Sequence, residues 1–127
     1  MNVSKLRTEL EHRLSLDVND DYGIEESWKN LTSILSDNIV DTINFFSKEC
    51  TDEELFWLSE VFSDISEIVQ NKEFVQVLRS RLSQVTRESY DQNSFKSEHM
   101  KKWIDYDDYV RSVNLDIDYA EGALREE

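Results

Sequence analysis

The 127-residue chain contains no proline, two glycines (Gly23 and Gly122), one cysteine (Cys50) and two histidines (His12 and His99). Sheets and hairpins draw on proline and glycine at their turns, whereas helical bundles manage with few, so this scarcity predicts an all-α fold. A single cysteine excludes an internal disulfide and suits a reducing compartment. The histidines fall on separate predicted helices, far in sequence from the cysteine, and do not give the close donor spacing of a metal site. Two glycines supply no loop to cradle a phosphate, and no serine sits in a nucleophile-elbow pattern. No apolar run approaches the roughly 20 residues that span a bilayer, and the N-terminal MNVSKLRTELEHRL carries charges where a signal peptide is apolar. These absences predict a cytoplasmic protein that has no cofactor and is not an enzyme.

Positive charge is also scarce. Fourteen basic side chains face 28 acidic ones, a formal net charge of −14, which repels phosphate backbones and argues against direct nucleic-acid binding. Acid concentrates between Glu49 and Glu67, where no basic residue occurs, and again between Asp105 and Glu127, where Arg111 and Arg125 are the only basic residues. The stretch from Ile68 to Ile104 has the opposite bias, so part of the acid is expected to be neutralised within the fold. With 39% hydrophobic residues the chain is apolar enough to fold, and its length suits a single helical domain over residues 1–127.

Apolar spacing and caps predict five to six short helices, with room for a seventh, in an antiparallel bundle or a short stack of helical hairpins. The first covers about Val3 to Leu16, with Val3, Leu6, Leu10 and Leu14 on one face. The second runs from about Ile24 to Leu35 through Ile24, Trp28, Leu31 and Leu35. Ser36 or Asp37 is expected to cap a third, its inner face formed by Ile39, Val40, Ile43 and Phe46. Thr51-Asp52-Glu53-Glu54 reads as a capping box opening a fourth helix that continues to about Gln70. Its apolar face is Leu55, Leu58, Val61, Phe62, Ile65 and Val69. Asn71 then caps a fifth with Phe74, Val77, Leu78, Leu82 and Val85 inward. A sixth is expected over about Phe95 to Ile104, burying Phe95, Met100, Trp103 and Ile104, and a short last helix after Asn114 takes in Ile117, Ala120 and Leu124. The acidic segment 105–127 is expected to pack less closely than the rest.

Cys50 follows Ile43 and Phe46 on the inner side of the third helix among acidic neighbours, which reads as a small buried residue rather than a reactive thiol. His12 reads as a surface residue and His99 as a packed one.

Two acidic and aromatic constellations are candidates for binding a protein partner. On an unbroken fourth helix, Glu53, Glu60, Asp64 and Glu67 would share one stripe, with Trp57 at its apolar border. Trp57 reads equally as an interface anchor ringed by steering charge or as a residue folded over the core edge. The run Asp105-Tyr106-Asp107-Asp108-Tyr109, with Tyr119 beyond it, repeats the mixture and reads either as a docking segment or as a loosely packed tail.

The stretch from Ser27-Trp28-Lys29-Asn30-Leu31 to Arg79 resembles small acidic bacterial immunity proteins encoded beside polymorphic toxins, including those of contact-dependent growth inhibition. The likeness is strongest in Glu49-Cys50-Thr51-Asp52-Glu53-Glu54-Leu55-Phe56-Trp57-Leu58-Ser59-Glu60-Val61-Phe62-Ser63-Asp64-Ile65 and in Asn71-Lys72-Glu73-Phe74, and the closing Asp116-Ile117-Asp118-Tyr119-Ala120 is similar to how such chains end. It covers about the middle half of the chain plus this tail and rests on sequence flavour without a catalytic signature. The resemblance implies a non-catalytic antitoxin that binds a cognate toxin, and the acid suits a basic toxin such as a nuclease. The competing expectation is a helical adaptor or regulatory subunit with a constitutive basic partner.

Overall fold

The computed structural model describes residues 1–90, 96–97 and 102–125. Among the described residues seven α-helices form: α1 (Val3–Ser15), α2 (Asp21–Ser36), α3 (Ile39–Lys48), α4 (Asp52–Leu58), α5 (Phe62–Val69), α6 (Lys72–Ser83) and α7 (Tyr106–Gly122). The expected all-α class holds. Two two-residue strands, β1 (Lys96–Ser97) and β2 (Lys102–Trp103), pair antiparallel where a sixth helix was expected. Of that predicted segment Ile104 is buried as expected, while Phe95, His99 and Met100 lie outside the described residues.

Polar side chains at the helix starts explain most boundaries. Asn2, Asp20, Asn38, Thr51, Asn71 and Asp105 each accept a hydrogen bond from a backbone NH of the first helical turn, satisfying donors that have no partner within the helix. Thr51 and Glu54 form the predicted reciprocal capping box. The cap of α3 is Asn38 and not Ser36 or Asp37, so the helix begins later and its inner face turns to Thr42, Phe45 and Phe46, leaving Val40 exposed. Helix α2 starts earlier than its apolar spacing suggests because Asp20 caps it through the NH of Gly23. A Cβ there would come within 2.5 Å of the capping carboxylate.

The predicted fourth helix is broken. After Leu58 the chain tightens into a 3-10 turn over Ser59–Val61, where the Ser59 hydroxyl bonds the carbonyl of Phe56, and α5 starts afresh at Phe62. A 3-10 turn uses three residues per turn instead of 3.6, so the positions after it no longer continue the face of α4. Helix α5 ends at Gln70, whose φ of 49° is a left-handed conformation usually left to glycine.

Helix neighbours close on themselves: α2 packs on α5, α5 on α7, α7 on α6, α6 on α3 and α3 on α2, with α1 laid against α2. This is a closed bundle and not an open stack, and it is not uniformly antiparallel. The side-chain amide of Gln70 joins the end of α5 to the end of α7, donating to the Ala123 carbonyl at 3.0 Å and accepting from the Arg125 NH at 2.7 Å. Asp116, about two turns earlier on α7, faces Ser59 and Glu60 just before α5, so α5 and α7 run parallel.

One hydrophobic cluster draws on all seven helices. At its centre Phe46, Phe62 and Phe74 meet edge to face with ring centroids 5.6 to 6.2 Å apart, the arrangement aromatic quadrupoles favour. The C-terminal segment is part of this core. Tyr109, Val113, Ile117 and Ala120 of α7 are fully buried, correcting the expectation of a loosely packed tail with a helix only after Asn114.

Candidate functional site

The break between α4 and α5 decides the fate of the acidic stripe. Glu60 lies in the 3-10 turn and points inward, accepting from Arg13 Nε at 2.9 Å and Arg13 Nη2 at 2.8 Å, and from Trp28 Nε1 at 3.2 Å. Arg13 is itself buried, its guanidinium 5.8 Å from the ring centroid of Trp57. Trp57 is 6% exposed and belongs to the core cluster, which resolves its two readings in favour of packing. Glu53 is half-buried on α4. Of the five residues expected to share a surface, only Asp64 and Glu67, both on α5, face solvent, and among the described residues no basic group is bonded to either carboxylate.

A half-buried carboxylate adjoins this node. Burial pushes the Asp116 carboxyl up, the Ser59 hydroxyl offsets part of that, and the charge of Glu60 pushes it up again.

The second candidate set is likewise redistributed. Asp105 caps α7 through the NH of Asp108, Asp107 pairs with Arg87 at 2.7 Å, and Asp108 pairs with Arg111. Tyr106 is half-buried and donates to the Val85 carbonyl at 3.1 Å, with Arg87 over its ring. Tyr109 is fully buried, donating to the Asp52 carbonyl at 2.6 Å. Burial, then the nearby charge of Asp52, pushes its phenol well above the usual range. Tyr106 and Tyr109 therefore act as polar-tipped core residues and not as an exposed docking pair. The i, i+3 and i+4 spacing of Tyr106, Tyr109, Val113, Ile117 and Ala120 was the available signal that these tyrosines lie on a core face.

All seven arginines are engaged by the protein itself. Besides Arg13, Arg87 and Arg111, Arg7 pairs with Glu54 and Arg81 with Asp52, while Arg79 reaches Asp118 and Glu121. Arg125 donates to the Glu67 carbonyl. Burial pushes Glu54 up, yet the hydrogen bonds from Arg7 and Thr51 outweigh it and hold the carboxyl below its ordinary value. The neutralisation expected within the fold is thus carried mainly by arginine, with the amino terminus on Asp41 and Lys29 beside Glu26, and Asp64 and Glu67 are left outward.

Cys50 is buried as expected, its thiol pushed up by burial, and His12 is exposed. Among the described residues no group of three or more histidine, cysteine, aspartate or glutamate side chains could hold a metal ion, and no helix is long and apolar enough to cross a membrane.

Large apolar side chains left in water are Val18, Tyr22, Val40, Ile68, Leu115 and Tyr119. Three of them, Ile68, Leu115 and Tyr119, lie on α5 and α7, the helices that also carry the outward Asp64 and Glu67. No family model matches the chain, and comparison with curated proteins and with solved structures finds no similar protein.

Proposed function

We propose that this chain is an immunity protein of the bacterial cytoplasm that binds a cognate toxin domain, most fittingly a basic nuclease, and blocks its active site or substrate-binding surface. The observation that carries the reading is the disposition of charge. Each arginine is held by the protein's own carboxylates or carbonyls, so a chain of net charge −14 meets its partner with acid. A field of one sign speeds encounter with a cationic surface and competes with the nucleic acid that such a surface would otherwise hold. The sequence likeness to small acidic immunity proteins supports the same reading.

The test is co-expression with the product of the gene directly upstream. If that product carries a toxic domain, this chain should restore growth and form a stoichiometric complex whose association slows as salt rises. An operon of unrelated housekeeping genes, or a neighbouring toxin left fully active in the presence of this chain, would contradict the proposal.

A further inference from the structure

Helices α5 and α7 lie side by side and parallel, clamped at their ends by Gln70, and the exposed residues on their outward faces are of two kinds. On α5 the outward ridge is Asp64, Glu67 and Ile68, positions three and four apart that adjoin on a helix surface. On α7 the sector is set by its neighbours. Asp116 faces Ser59 and Glu60 before α5, while Asp118 is drawn to Arg79 on α6. At 100° per residue, the exposed arc between these two positions holds Tyr119 and Leu115 together with Asp108, Arg111 and Gly122, with the half-buried Ser112 at its edge toward α5. Tyr119 and Leu115 are 61% and 49% exposed, and Ile68 is 61% exposed. The two basic groups nearby are already engaged, Arg111 by Asp108 and Arg125 by the carbonyl of Glu67.

We infer that the outer face of the α5–α7 pair is the docking surface for a basic, amphipathic segment of the partner protein, a deepening that rests on the proposed binding role. Apolar side chains of that segment would cover Leu115, Tyr119 and Ile68, and its lysines or arginines would meet Asp64 and Glu67. Charge complementarity selects this occupant. The free carboxylates beside the apolar strip exclude an acidic partner, and a second copy of this chain would bring like charges together. Tyrosine fits the central position because it adds large contact area with little side-chain entropy to lose.

The experiment uses the full chain and, as probe, a synthetic peptide of lysine and leucine at helical spacing. In a nuclear magnetic resonance titration the perturbed amides should cluster at Ser63, Asp64, Glu67, Ser112, Leu115 and Tyr119. The pair Asp64→Lys with Glu67→Lys should weaken peptide binding about tenfold or more, whereas the charge-matched pair Glu11→Lys with Asp37→Lys should change it by less than about twofold. Tyr119→Ala should also weaken it about tenfold or more, with an unchanged circular dichroism spectrum showing that the fold survives. Perturbations spread over every acidic surface, or equal effects of the two charge pairs, would overturn the assignment. So would sedimentation as a dimer that Tyr119→Arg dissociates. With a cognate toxin in hand, unchanged toxin affinity in the Asp64, Glu67 and Tyr119 variants sinks the surface and leaves the immunity reading standing. A surface that takes the peptide in a chain that neutralises no toxin gives the reverse.

Discussion

Glu60 receives Arg13 in a two-pronged ion pair across 47 residues of sequence, Nε to Oε1 at 2.9 Å and Nη2 to Oε2 at 2.8 Å, and Trp28 adds a third donor at 3.2 Å. The pair joins α1 and α2 to the turn where α4 gives way to α5. It converts a carboxylate that looks outward in a helical projection into a structural one.

Replacing Glu60 by alanine should therefore destabilise the fold rather than merely alter its surface. The buried Arg13 would lose its counter-charge and Trp28 its acceptor, a loss of roughly 2–3 kcal/mol. That lies at or below the lower end of the roughly 3–5 kcal/mol for breaking a buried pair, because the Glu60 side chain keeps about a quarter of its area in water. Urea denaturation measures it, and a loss under about 0.5 kcal/mol would show the pair to be dispensable.

Trp57→Ala should cost roughly 3–5 kcal/mol, the range for deleting a large aromatic from a packed core. Trp57 is buried against the aromatic Phe56 and the guanidinium of Arg13, so the change leaves a cavity. Equilibrium unfolding and binding measured on the same variant separate stability from affinity. A stable variant that binds poorly would return Trp57 to the interface.

Asp116→Asn should stabilise the protein at neutral pH, by no more than about 1 kcal/mol because a half-exposed carboxyl is screened by solvent. Its folded-state pKa is raised by burial and by Glu60, so the folded chain binds this proton more tightly than the unfolded chain does, and ionisation costs stability. That cost is full above the raised value and vanishes below the unfolded one. The advantage of the variant should shrink as pH falls through this window, which thermal melts of both proteins measure; an advantage that stays constant or grows as pH falls would contradict it.

Gln70→Ala should weaken the junction of α5 with α7. The left-handed backbone would remain, but the bonds to Ala123 and Arg125 would be lost, for a cost of roughly 1–2 kcal/mol. Amide hydrogen exchange should quicken at residues 120–125 before it quickens elsewhere. Equal acceleration throughout the chain would mean that Gln70 contributes only to global stability.

Much of the fold was legible because helix starts and core faces are local properties. Thr51-Asp52-Glu53-Glu54 carries its capping box within four residues, Asn71 caps α6 as its position suggests, and Leu6 with Leu10 marks the buried side of α1 by spacing alone. The boundaries that failed depended on competition between neighbouring signals. Ser36, Asp37 and Asn38 are all capable caps, and in the fold it is Asn38 whose side chain accepts from the NH of Asp41. A break at Ser59 has no proline or glycine to announce it, since a serine hydroxyl bonding back to a carbonyl looks in sequence like any helical serine.

For the candidate site the division is sharper. Composition by itself determined the sign of the surface, because 14 basic residues cannot neutralise 28 acidic ones however the chain folds. Tertiary structure decided which carboxylates are spent inside and which remain for a partner. Glu60 is drawn in by Arg13 and Asp107 is met by Arg87, whereas Asp64 and Glu67 stay free beside Tyr119's helix. The physical reason is that an ion pair is formed between residues brought within 4 Å in space, and spacing along one helix carries no information about which arginine a neighbouring helix will bring to it.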